Sequence, residues 1–135
     1  MSQENVNDAR LISGSCTTGW LDWIHGELWL LPDGLLRIST SLVNTAGNGI
    51  LRTIPRDPVV RQFTREEIDE IVARDKRNLW IPREQLTSLK IHVCLLQSRA
   101  NLSFVDGRRQ KLLWLRGDHA EVPLKDALAS WSIPG

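Results

Sequence analysis

The sequence predicts a mainly β domain with α+β content, carrying one amphipathic helix in its middle and a short helix near its end. Turn chemistry recurs at short intervals, at Pro32-Asp33-Gly34, between Asn44 and Gly49, and at Asp106-Gly107. Apolar and polar residues alternate from Leu89 to Leu95 with the period of a strand. The stretch from Phe63 to Val72 has the caps and apolar spacing of a helix. A length of 135 residues suits one core, and two would each be marginal.

Taken in order, Met1 to about Gly19 is polar, with Ser-Gly-Ser at 13–15, and reads as a flexible N-terminal arm over 1–19. A single domain over 20–135 follows. Glu27 to Leu31 and Leu35 to Thr40 flank the first turn as a hairpin, with Gly34 expected to supply a positive φ. Short strands near Leu42-Val43 and from Ile50 to Ile54 flank the second turn, and Pro55 and Pro58 end that region.

Thr64 is placed to cap the helix, with Glu67 at capping-box spacing and Phe63 and Ile68 as a staple. Ile68, Ile71 and Val72 form its apolar stripe, and Arg65–Asp69 and Glu70–Arg74 are i,i+4 pairs on the wet side. Asp75 to Asn78 should end it. Leu89, Ile91, Val93 and Leu95 then fall on one strand face, with Lys90, His92 and Cys94 on the other. Gln97 to Asn101 turns the chain, and Leu102 to Val105 and Gln110 to Arg116 form a hairpin around a type I′ Asp106-Gly107 turn. Leu124, Ala127, Leu128 and Trp131 are at helical spacing in a closing helix over Pro123 to Ser130. The expected total is six to seven strands.

Net charge is +1, so the whole molecule has no strong attraction for nucleic acid or membrane, and only a local patch would supply one. No basic segment leads into an apolar run, and Cys16 and Cys94 are far apart with no CxxC pair, so the expectation is a cytoplasmic chain with reduced thiols. His92 and Cys94 read as incidental polar-face residues rather than a nucleophile and base or half a metal site. The acids Glu66, Glu67, Asp69 and Glu70 read as a solvated helix face. No enzyme, cofactor or metal is expected.

Three pieces in order resemble the bacterial PH-like and GRAM-like domains. They are GELWLLPDGLLRIS as the opening hairpin, NLWIPREQLTSLKIH as the mid-domain segment, and LSFVDGRRQKLLWL as the next hairpin, with VPLKDALASW in the place of the terminal helix. The resemblance implies a PH-like, partly open, strongly bent barrel with the terminal helix plugging one end, and the capped helix as an insertion. Phosphoinositide-binding PH domains place basic residues in and beside the first hairpin loop. This chain has Asp33 at that tip and only Arg37 downstream.

The expected function is a non-catalytic binding or assembly module, with protein–protein contact favoured. Trp20 and Trp23 in GWLDWIHGE are the expected contact residues, toward another protein or a second copy, and a strand edge near Leu42 to Ile54 is open to an added strand. The alternative is peripheral recognition of anionic lipid headgroups through Arg108, Arg109 and Lys111. Nucleic acid is not favoured, since Tyr is absent and stacking platforms are wanted there.

Overall fold

A computed structural model describes residues 6–17, 26–39 and 60–134. The described chain is mainly β, in two antiparallel sheets with two short helices. Strands β1 (Val6–Cys16), β2 (Gly26–Leu31), β3 (Gly34–Ser39), β4 (Val60–Thr64) and β5 (Leu79–Pro82) form a five-stranded sheet in the order β4-β1-β2-β3-β5. Strands β6 (Leu86–His92), β7 (Gln97–Phe104) and β8 (Arg109–Leu115) form a three-stranded meander. Helix α1 (Arg65–Arg74) follows β4, and helix α2 (Glu121–Trp131) follows β8. The sheets meet at one corner, where Thr17 and Leu113 exchange two backbone hydrogen bonds of 2.8 Å, and among the described residues they are not closed into a continuous barrel.

The segment expected as a loose arm instead supplies β1, which lies between β4 and β2. Its polarity is misleading because two of its serines are buried with a partner far along the chain. Ser13 and Ser15 both donate to Asp118 Oδ2, at 2.7 and 2.5 Å, and Ser15 Oγ accepts from Leu115 N–H at 2.9 Å. One carboxylate thus ties the irregular middle of β1 to the turn after β8. The seam between the sheets is polar and satisfied.

Alternation along the five-stranded sheet sends side chains to two cores. Ile12, Leu28, Leu35 and Ile81 face Leu89, Leu102, Leu112 and Trp114 of the second sheet, with Leu124 and Leu128 of α2 packed into the same cluster. Ala9, Trp29, Leu31 and Leu36 face the other way, onto Phe63, Ile68 and Ile71 of β4 and α1. The layer order is therefore α1, five-stranded sheet, shared core with α2, three-stranded sheet. Both faces of the first sheet are covered. Among the described residues, no helix covers the outer face of the second.

Helix α1 forms as its sequence predicts. Thr64 Oγ1 accepts from Glu67 N–H at 3.1 Å, and Glu67 Oε1 accepts from Thr64 N–H at 2.8 Å, which completes the capping box. Phe63 and Ile68 are fully buried beside each other. Asn78 ends the helix: its side chain donates to Ile71 O at 2.7 Å and accepts from Ser39 N–H at 2.6 Å.

Two turns differ from expectation. Gly34 does not have a positive φ; among described glycines only Gly107 does, at 90°. Gly34 is needed for space, since a Cβ there would lie 2.4 Å from Ile81 O. The Asp106 turn is not type I′, which needs two positive φ values. Phe104 N–H bonds Arg108 O at 2.9 Å and Gly107 N–H bonds Phe104 O at 3.0 Å, a three-residue loop with Gly107 as its left-handed member. The second hairpin, Trp20, Trp23 and the edge near Leu42 to Ile54 lie outside the described residues.

Candidate anion-binding face

The uncovered face is built from every second residue of β6, β7 and β8. Register sets them in three rows: Ser88 opposite Ser103 opposite Arg109, Lys90 opposite Asn101 opposite Lys111, and His92 opposite Arg99 opposite Leu113. With strands ~4.8 Å apart and two residues rising ~7 Å, the nine positions span roughly 10 by 14 Å. Lys90, Arg99, Arg109 and Lys111 are all exposed, and none has an acidic partner among the described residues. A shallow depression of about 560 Å³ is lined by Ser88, Lys90, Asn101, Ser103, Arg109 and Lys111.

The electrostatics are one-sided. From Leu86 to Arg116 the chain has six Lys or Arg against the single acid Asp106, a formal +5 within a total of +1. Lys90 and Lys111 flank Asn101 rather than one another, which spares them direct like-charge opposition. Such a cluster still repels itself, and in the free molecule only solvent and salt relieve it. Hydroxyl and amide groups between the cations add donors suited to phosphate or carboxylate oxygens.

The structure brings two of the three expected hairpin cations onto this face and turns the third away. Arg109 and Lys111 are two apart on β8 and share the face. Arg108 lies over the Phe104 ring at 5.1 Å and its Nε donates to Asp106 Oδ2 at 2.7 Å. The Arg108 backbone N–H, followed by its guanidinium, holds the Asp106 carboxyl below its ordinary value. Lys90 and Arg99 complete the cluster. Lys90 was legible as an outward strand residue, but only the β6–β7 and β7–β8 registers together place it in one row with Lys111, across Asn101.

Other sequence candidates are distributed elsewhere. Arg37, the cation nearest the first hairpin, is fully buried and donates to Arg77 O at 2.7 Å and Cys16 O at 3.0 Å, so its charge serves the fold. His92 ends β6, while Cys94 is exposed in the following turn, so the two do not share a strand face. Val93 and Leu95, expected on one strand face with Leu89 and Ile91, are exposed for the same reason: β6 stops at His92. Among the described residues no group of His, Cys, Asp and Glu has the makings of a metal site, and no helix is long and apolar enough to cross a membrane. Comparison with protein-family models and with curated proteins gives no match.

Proposed function

We propose that this chain is a non-catalytic docking module, on a PH-like scaffold, whose uncovered sheet face binds anionic lipid headgroups. The observation that carries the reading is the in-register array of Lys90, Arg99, Arg109 and Lys111 with no acid on the face. The scaffold reading is supported by two antiparallel sheets that meet at one corner, with Leu124 and Leu128 of the terminal helix in the core they share. The face is broad and shallow, which suits a surface of many phosphates better than one enclosed small molecule. No Phe, Tyr or Trp stands among its nine positions, so it lacks the large stacking platforms that single-stranded nucleic acid favours. Of the two binding modes read from the sequence, the described surface favours lipid over protein contact; the tryptophans of the latter are outside the described residues.

The test is co-sedimentation with phosphatidylcholine vesicles, with and without phosphatidylserine. Each Lys or Arg near an anionic bilayer contributes about 1 kcal/mol, so a Lys90→Gln, Arg109→Gln, Lys111→Gln variant should bind roughly a hundredfold more weakly. Its thermal midpoint should be no lower than that of the parent, because the removed charges repel one another. Arg108→Gln should weaken binding less than Arg109→Gln, since Arg108 is engaged by Asp106. Parent protein that ignores phosphatidylserine at low salt would refute the proposal.

A further inference from the structure

At one end of the basic array, the β6–β7 turn exposes Val93, Cys94, Leu95 and Leu96 in succession. Leu95 and Leu96 are each 80% exposed, far beyond ordinary exposure for leucine in a packed domain. Leu115 is 51% exposed at the same end, opposite Gln97, and Arg116 N–H bonds Leu96 O at 3.2 Å. These side chains fill no gap in the core. They project past the strand ends as an apolar tip.

The tip has a cationic collar. Arg99 stands at its neck opposite His92, Arg116 is bonded to it through its backbone N–H, and Lys90 lies in the next row. Between Glu84 and Asp106 the sequence has no acid. A second copy of the chain is a poor occupant, because a twofold contact through the tip would bring one collar against the other. Hydrocarbon for the tip and phosphate for the collar are found together at the surface of an anionic bilayer.

We propose that Val93 to Leu96 inserts at the boundary between headgroups and acyl chains of an anionic membrane, with His92, Arg99 and Arg116 at the level of the phosphates. This rests on reading the sheet face as a headgroup-binding surface, and adds the point at which the protein enters the apolar layer. The domain then sits tilted, with the tip lowered into the apolar boundary and the sheet face still turned to the headgroups, and capture by charge is followed by retention through leucine.

Cys94 provides the probe, because it is exposed in the tip while Cys16 is fully buried. A thiol-reactive, environment-sensitive dye on the folded chain therefore reports on the tip. The expected result is a blue shift and brightening on phosphatidylserine-containing vesicles, quenching by lipids brominated in their acyl chains, and no shift with soluble inorganic polyphosphate. In unlabelled protein, Leu95→Ser with Leu96→Ser should keep polyphosphate binding and lower vesicle partitioning by roughly tenfold or more per leucine. An unchanged dye on vesicles that do sediment with the protein, or a double variant that partitions like the parent, would overturn insertion and leave the charged-face reading intact. Failure of the parent to bind both vesicles and polyphosphate would overturn the two together. A double variant that only dissolves an oligomer would reassign the tip to protein contact.

Discussion

Replacing Asp118 with Ala tests whether one carboxylate holds the two sheets together. Ser13 Oγ already accepts from Ser15 N–H at 3.1 Å, and Ser15 Oγ accepts from Leu115 N–H at 2.9 Å. Both hydroxyl protons are therefore committed to Asp118, at 2.7 and 2.5 Å. Hydrogen bonds to a charged group contribute about 1.5–3 kcal/mol each, and an abandoned buried donor adds its desolvation. After the substitution Ser13 and Ser15, 3.5 Å apart, can pair with each other, which recovers part of one bond. The net loss works out at about 3 kcal/mol. For a chain of this size that is a fall of about 10 °C in the thermal midpoint. Asp118→Asn keeps an acceptor without the charge and should lose about half as much. Equilibrium urea unfolding measures both, and an unchanged m value would show that the denatured state is not involved. An Asp118→Ala protein within about 0.5 kcal/mol of the parent would refute the assignment of the seam to this carboxylate.

Thr64→Ala removes half of the capping box of α1 and should cost about 1 kcal/mol by the same unfolding assay. Gly34→Ala should cost about 1–3 kcal/mol, since the new Cβ meets the backbone Ile81 O and the Trp80 ring, and the carbonyl has nowhere to move. Asp75 has its carboxyl lowered from 3.8 to about 2, chiefly by the Arg77 side chain and backbone N–H, with Ser39 adding a further bond. Because the folded value is the lower one, its stabilising contribution is present above the unfolded pKa and fades as pH falls through 3.8 toward about 2. Carboxyl NMR should find Asp75 ionised at about pH 3, where an ordinary aspartate is mostly protonated, and Arg77→Gln should return its midpoint toward the ordinary value.

Local signals in the sequence predicted local structure well. The Thr64–Glu67 box, the Pro32-Asp33 hairpin and the spacing of Leu124 and Leu128 each involve residues a few positions apart, and each formed. Apart from the conformations of the Gly34 and Asp106-Gly107 turns, what failed was non-local. Ser13 and Ser15 look like arm residues until Asp118, over a hundred positions away, is known to receive them. Alternation put Val93 and Leu95 on one strand face with Leu89 and Ile91, but it reports a face only while the strand continues. Where β6 stops is set by its pairing with β7. The candidate site was half legible for the same reason: Arg109 and Lys111 show in a single segment, whereas their grouping with Lys90 and Arg99 exists only across three strands.

The layer order has a consequence for motion rather than affinity. The three-stranded sheet stands at one pole with its +5 segment, and α1 stands at the other with four acids against Arg65 and Arg74. A molecule that is nearly neutral in sum thus has a dipole along its stacking axis. Far from a negatively charged surface it diffuses without preference. Within a Debye length, ~8 Å at physiological salt, the field exerts a torque that turns the cationic pole foremost before any contact forms. Salt therefore acts chiefly on the frequency of productive encounters, while the dwell time once docked belongs to groups that ions do not screen.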